Sequence, residues 1–314
     1  MTTYVVRRLA IVLLTLLISS ALIFIVTQVL PGDAARAVLG RFATPQALAN
    51  LRATLGLDRP LVMQYGSWLV RYVQGDWGLS LSTGESVFRL VAGRLRNSGM
   101  LALVAFLMYV PLGILLGLFS ALRRGKLTDQ IISIASLAFI GLPEFVTGLL
   151  LIALFALRLS WLPAASDIRP DAGFLTALPR LILPAITVSL VSLAYITRMT
   201  RASTTQVLST DYIRTAYLKG LHPARVMFSH VLRNSLLPTV TVIAVGIGWL
   251  IGGLIVTESL FGYPGLGRLL LFAIQRRDLP LLQAITLLLV VVFSVSNLLA
   301  DIIYALLNPR IRYT

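Results

Sequence analysis

The residues able to do chemistry are few. The chain has no cysteine and two histidines, His222 and His230. Disulfide, thiol and cysteine-metal chemistry are excluded. Both histidines fall in a polar stretch, so no imidazole base stands inside an apolar run for an intramembrane serine hydrolase. The H-E-x-x-H pattern of a zinc protease is absent. Arg124-Gly125-Lys126 hints at a phosphate-binding loop. However, Ser120 stands where its first glycine belongs, and Leu127 replaces the hydroxyl residue that would meet magnesium. If this chain takes part in ATP-driven work, the nucleotide is hydrolysed by another polypeptide.

Two carboxylates sit inside apolar runs. Glu144 directly follows Pro143. An acidic side chain in hydrocarbon costs about 2.5–3.5 kcal/mol on insertion scales, so it must face other helices or water. Pro143 removes a backbone hydrogen bond and predicts a kink. Two readings stand for Glu144: a polar group lining a path, or a helix-end carboxylate bonded to freed N–H groups or to a neighbouring helix. Asp301 lies nearer the end of its run, where a buried pair or a reach to the interface suffices. Gly113/Gly117 and Gly248/Gly252 are spaced for close helix packing. Gly252-Gly253 is also flexible enough for a hinge.

The elements that must position these groups follow from composition. Of 314 residues, 57% are hydrophobic and 12% charged, and the mean hydropathy is +0.88. Charged residues make up about half the usual share of a soluble domain, so a soluble enzyme, a disordered chain and a coiled coil are excluded. An all-α polytopic membrane protein is expected. Six apolar stretches approach or exceed the roughly 20 residues needed to cross a bilayer: 9–30, 100–122, 131–157, 181–197, 237–257 and 284–307. The first follows Arg7-Arg8, and Ala35-Arg36-Ala37 resembles a cleavage site. The apolar run is longer than a signal peptide's, and we read it as a retained helix.

The net charge of +15 is read as loop asymmetry rather than as nucleic-acid binding. With both termini inside, thirteen Lys/Arg fall in cytoplasmic segments and six in the short external ones, as the positive-inside rule requires. The expected organisation is residues 1–30 as N-terminus and first helix, and 31–98 as an external domain. Residues 99–314 form the core, with a cytoplasmic loop at 198–238 and an external loop at 258–283. Within the external region, Thr44 and Pro45 predict the start of a helix over 45–55. Tyr65, Trp68, Tyr72 and Trp77 predict a folded cap rather than a linker.

The 198–238 loop is the most informative segment. Thr210 or Asp211 can cap a helix ending at Lys219. Gly220 fits its stop, and Pro223 the first position of the next helix. Ile213, Ala216, Tyr217 and Gly220 share a face, small enough at Ala216 and Gly220 for close approach by a partner. The alternative is a solvated basic loop obeying charge asymmetry.

Arg198-Met-Thr-Arg, Asp211-Tyr-Ile-Arg-Thr-Ala-Tyr-Leu-Lys-Gly-Leu and Leu232-Arg-Asn-Ser-Leu-Leu-Pro together resemble the "EAA" loop of bacterial ABC importer permeases. The likeness is greatest to the dipeptide/oligopeptide branch. Arg214-Thr215-Ala216 stands where Glu-Ala-Ala would be, and the gap from Gly220 to Leu237-Pro238 is long; both features are similar to the peptide branch. Tyr4-Val-Val-Arg-Arg-Leu, Leu30-Pro-Gly-Asp33, Leu55-Gly-Leu-Asp-Arg-Pro60, Gly75-Asp-Trp-Gly-Leu-Ser80, Glu258-Ser-Leu-Phe-Gly-Tyr-Pro-Gly-Leu-Gly267 and Asn308-Pro-Arg310 resemble the first of the two permeases of peptide systems. The resemblance covers essentially the whole chain.

The resemblance implies a type I importer permease in the bacterial inner membrane, non-catalytic and without a cofactor of its own. ATP and magnesium would sit on partner subunits. The implied partners are a second homologous permease, two ABC ATPase subunits, an external substrate-binding protein and a peptide substrate. Asp211, Tyr212, Arg214, Thr215, Ala216, Lys219, Gly220 and Leu221 would lie at the ATPase contact. Glu144, Gly252 and Gly253 are the candidate translocation path. Related permeases serve dipeptides, oligopeptides, glutathione and nickel complexes. The competing class is a stand-alone secondary transporter or channel, which needs coupling-ion carboxylates or broken helices; only Glu144 and Asp301 could serve.

Overall fold

The computed structural model describes residues 2–29, 44–47, 49, 58–167 and 174–307, and the described residues are helical apart from turns and one isolated Leu79–Ser86 bridge. The helices are α1 (Thr2–Val29), α2 (Leu61–Val73), α3 (Val87–Leu122), α4 (Leu127–Gly141) and α5 (Glu144–Leu151), which continues as a π turn over Ile152–Arg158. There follow α6 (Phe174–Leu208), α7 (Asp211–Leu218) and α8 (Pro223–Val226). A second π turn over Met227–Leu232 leads from α8 into α9 (Arg233–Leu260), and α10 (Leu266–Arg276) and α11 (Leu279–Leu307) complete the order.

Five helical stretches among the described residues are long and apolar enough to cross a membrane: Val6–Gln28, Val87–Leu122, Thr176–Leu208, Pro223–Leu260 and Leu279–Ile303. The third expected span differs from its sequence reading. It is not one kinked helix over 131–157 but two helices, Leu127–Gly141 and Glu144–Arg158, bent by 111°. The residue before a proline is pushed out of the helical region. Leu142 accordingly takes φ −87°, ψ 131°, and Pro143 restarts the chain as the N-cap of α5.

The fourth span is longer than expected, because Pro184 lies inside α6 rather than near its start. A mid-helix proline orphans the carbonyl four residues earlier. That carbonyl, of Arg180, accepts a 2.6 Å hydrogen bond from the buried Ser166 hydroxyl. The expected external loop at 258–283 is largely helical, taken up by the end of α9 and by α10.

The chain forms two compact units. The first comprises residues 1–5, 99–263 and 296–314. Its core joins Leu101, Ala105 and Tyr109 of α3, Leu181, Ala185 and Ile196 of α6, and Leu250 and Leu254 of α9. Lipid is as apolar as leucine, so helices in a membrane associate through close packing rather than apolar burial. Gly113 and Gly117 supply that here. A Cβ on Gly113 would lie 2.7 Å from Ile196 Cγ2, and one on Gly117 2.5 Å from Thr200 Cβ. Gly252 is exposed and nothing lies within 4 Å of a Cβ placed there, whereas its pair Gly248 is buried.

The second unit comprises residues 6–98 and 264–295. Val87, Val91, Leu266, Leu269, Ala273, Leu281 and Ile285 form its core. Asp278, fully buried, accepts from Ser80 Oγ (2.5 Å), Ser82 N (3.0 Å) and Leu281 N (3.3 Å). It therefore caps α11 and fixes the 80–82 turn with one carboxylate. Thr44 accepts from Ala47 N at 3.3 Å, with residues 45–47 helical, as an N-cap would. The rest of the expected 45–55 helix, the Leu30–Asp33 and Ala35–Ala37 segments and Asn308–Arg310 lie wholly or mainly outside the described residues.

Candidate functional site

Three groups of polar or exposed residues stand out in the first unit. The first is the loop between α6 and α9. Ile213, Ala216, Val226 and Val231 form a small core of their own, packed by Val207, Leu208, Leu221 and Met227. The end of α7 explains the tightness of the turn. Leu221 N–H donates to the Ala216 carbonyl (3.3 Å) and Gly220 N–H to that of Tyr217 (2.9 Å). Gly220 sits at φ +75°. These are the two bonds of a Schellman stop, with Ala216 and Leu221 as its apolar contact. Pro223 opens the next helix, and His222 Nδ1 accepts from Ala224 N at 3.3 Å.

Two details of the sequence reading change. Thr210 occupies the N-cap position, yet its hydroxyl donates back to the Val207 carbonyl at 2.5 Å and caps nothing. Ile213 and Ala216 turn inward, so the small face is covered by the chain's own α8 region. What α7 and its neighbour expose instead is Tyr212, Tyr217 (45%), Leu218 (80%) and Phe228 (71%). Arg214, Thr215, Lys219 and Gly220 are exposed beside them, as is Asp211 in the first turn, and Leu221 is half-buried. Asn234 Nδ2 donates to Tyr212 Oη (3.1 Å) and to the His230 carbonyl (2.9 Å), tying α7 to the start of α9.

The second group was not singled out in the sequence. Asp129, in the first turn of α4, is 3% exposed. Arg201 approaches it with Nε at 2.5 Å and Nη2 at 2.8 Å, a bidentate pair. Ser120 Oγ donates at 2.5 Å and Gly125 N at 3.0 Å. One carboxylate thus takes four donors, joining the end of α3, the α3–α4 turn and α6 three residues past Arg198. An acid just after the Arg124-Gly125-Lys126 turn and at the head of an apolar run was the available signal. Its partner, 72 residues away, was not readable.

The third group surrounds the bend. Glu144 accepts from Thr257 Oγ1 on α9. Its Oε2 lies 2.7 Å from where a Cβ on Gly253 would stand, and Val188 Cγ2 lies 3.0 Å away. Glycine at 253 is therefore what lets the carboxylate rest on α9. Of the two sequence readings of Glu144, the bond to a neighbouring helix is present, and the side chain stays partly exposed. The α9 helix runs unbroken through Gly252-Gly253, without a hinge in this conformation. Gly148 serves α5 in the same way, against Leu260 and Thr187. Glu258 in the last turn of α9 and Tyr263 just beyond it are fully buried. Burial, with the Glu258 carboxylate nearby, pushes the Tyr263 phenol above its ordinary range. Asp301 lies partly buried in α11.

Comparison with known proteins places these groups in context. A family model described as "Binding-protein-dependent transport system inner membrane component" matches residues 113–313, and its N-terminal counterpart matches residues 1–95. The probable peptide ABC transporter permease protein y4tP of Sinorhizobium fredii is 37% identical over the full length of both chains. The di/tripeptide transport system permease protein DppB of Pseudomonas aeruginosa is 39% identical over 100% of this chain and 99% of its own. The glutathione transport system permease protein GsiC of Escherichia coli is 38% identical over the full length of both.

Proposed function

Since the chain belongs to the family of binding-protein-dependent transport-system inner-membrane components, we propose that it is one transmembrane subunit of an ATP-driven importer of di- and oligopeptides. It resides in the inner membrane. The substrate class follows from the names of the relatives matched end to end. In this reading the five long helices and the bent pair make six crossings, both termini are cytoplasmic, and the segments 31–98 and 258–283 serve the outer side. The chain pairs with a second, homologous permease and receives substrate from an external binding protein. ATP and magnesium belong to two ATPase subunits, and the chain itself is non-catalytic.

The observation that carries the coupling role is the exposure of Tyr217, Leu218 and Phe228 on a loop that already has its own core. Such side chains beside Arg214 and Lys219 suit a docking element better than a solvated loop. The Schellman stop joins α7 to α8 and the Asn234 bonds join it to the start of α9, so in this reading the loop moves as one body. The helix from Pro223 to Leu260 then carries that movement into the membrane. Glu144, Gly252 and Gly253 belong to the translocation path in this reading. A stand-alone secondary transporter is not favoured, because the full-length relatives are permease components of ABC systems.

The test is purification of the tagged chain from its host in mild detergent, followed by mass spectrometry. A second permease and P-loop ATPases should co-purify, and L218E or F228E should lose the ATPases while keeping the permease. A chain that comes out alone and transports without ATP would refute the proposal.

A further inference from the structure

The α2 helix carries three separate stripes. At about 100° per residue, Tyr65, Trp68 and Tyr72 fall within about 60° of arc. Gln64, Ser67 and Arg71 fall within another 60°, and Val62, Met63, Val70 and Val73 within about 100°. The aromatic stripe is half-buried. Phe24 of α1 lies against Tyr65 and Trp68, with centroids at 5.6 and 5.8 Å, and Tyr72 stacks on Trp77 at 4.9 Å. Tyr72 Oη also donates to the Ala284 carbonyl at the head of α11 (3.2 Å). Among the described residues, the apolar stripe has no comparable ring contact or hydrogen bond. Val62 is 82% exposed, Met63 63%, Val70 55% and Val73 79%.

Its contacts with α1 fix how α2 is rolled. Gln64, at the edge of the polar stripe, meets Gln28 at the last turn of α1's apolar span, 3.4 Å between side-chain amides. Tyr65, about 100° farther round the helix surface at the other edge of the aromatic stripe, reaches Ser20 Oγ at 2.8 Å and the Leu17 carbonyl at 3.4 Å. Ser20 stands eight residues before Gln28, about 12 Å farther along the span at 1.5 Å per residue. Going round α2 from Gln64 through the aromatic stripe to Tyr65 therefore runs from the end of α1 toward its middle. Continuing in the same sense leads to Val62, Val73 and Val70. Going the other way leads to Arg71 and Ser67.

We infer that α2 is an interfacial helix. Its apolar stripe is sunk among the lipid acyl chains of the bilayer half that holds the C-terminal end of α1, and its polar stripe faces water. The depth fits, since a hydrocarbon core of about 30 Å has half-thickness near 15 Å. The composition also fits: the Tyr and Trp residues bridge the two regions as aromatic belts do, and amphipathic helices lie in the interface plane. In the C-terminal half of α1, Leu22, Ile25 and Val26 are likewise exposed. The segment 61–73 is then a membrane-seated brace across α1 and the head of α11, not part of a water-exposed cap. The inference rests on α1 crossing the bilayer and is indifferent to which side its ends face.

The chain has no cysteine, so single sites can be labelled. V62C, V70C, S67C and R71C would each carry an environment-sensitive fluorophore, in the complete transporter rebuilt in nanodiscs with its partners' cysteines replaced. Lipids bearing a nitroxide on the acyl chain should quench the labels at 62 and 70 several-fold more than those at 67 and 71. Aqueous iodide should show the reverse order. Equal iodide quenching at all four sites would place the helix in water and overturn the inference. Shielding of 62 and 70 from both quenchers would mean a protein partner covers the stripe, and would overturn it equally. Failure of the importer reading would appear as missing ATPases in the purified complex, not as a change in this quenching pattern.

Discussion

Replacing Arg201 by alanine removes both guanidinium bonds to Asp129 and leaves a carboxylate that is 3% exposed with only Ser120 and Gly125 as donors. Breaking a fully buried pair from one side costs about 3–5 kcal/mol, and single hydrogen bonds to charged groups contribute about 1.5–3 kcal/mol. Arg201 is itself 32% exposed, so water can reach the vacated position and reduce the loss. We expect a cost of about 2–3 kcal/mol, below that of a fully buried pair. D129N should be costly alone, since it leaves the guanidinium without its ionised acceptor. In the R201A background it should cost less or restore stability, since it neutralises the stranded charge. Unfolding of the four proteins by SDS in mixed micelles measures this cycle, with an expected coupling of at least about 1.5 kcal/mol. Additivity within about 0.5 kcal/mol would refute the assignment of Asp129 and Arg201 as an energetic unit.

Adding a methyl at Gly253 places it against Glu144 Oε2 and Val188. G253A should therefore displace the Glu144 carboxylate at a cost of at most about 1–3 kcal/mol in the same titration, and E144A should recover part of it; an effect of G253A that is the same with and without E144A would contradict the close contact. Gly220 has open space around it but a left-handed backbone. G220A should therefore cost about 1–2 kcal/mol locally and lower ATPase co-purification without affecting membrane insertion, which western blotting of membrane fractions would check. Burial pushes the Tyr72 phenol above its ordinary value of 10.0. The unfolded phenol ionises first, so the contribution is intact below about pH 10 and falls as pH rises beyond it. Y72F should flatten the alkaline loss of melting temperature.

Much of this protein is legible in the sequence, because a bilayer imposes length and polarity on every crossing segment. Apolar runs near 20 residues, the Lys/Arg asymmetry and the Gly220/Pro223 punctuation each follow from local physics. Together with the motif order they lead to the permease family. The Gly113/Gly117 spacing likewise foretold close packing, since a missing Cβ is a property of the residue itself. Where the reading stopped short, a distant partner decided. Pro143 announced a kink, but the 111° break, with Gly148 and Gly253 in close contact beside it, appears only in the structure. Pro184 looked like a helix start until Ser166 satisfied the carbonyl it orphans. Ala216 read as a face for a partner, and the fold closed it with Val226 and Val231. Asp129 showed itself only as an acid at the head of an apolar run, and its partner was hidden, because an ion pair spanning 72 residues leaves no periodicity behind. The sequence determined which segments are apolar enough to cross a membrane and where the 210–223 loop stops one helix and starts the next. The tertiary structure decided which polar groups meet, since a buried charge is tolerated only where the fold delivers its counter-charge.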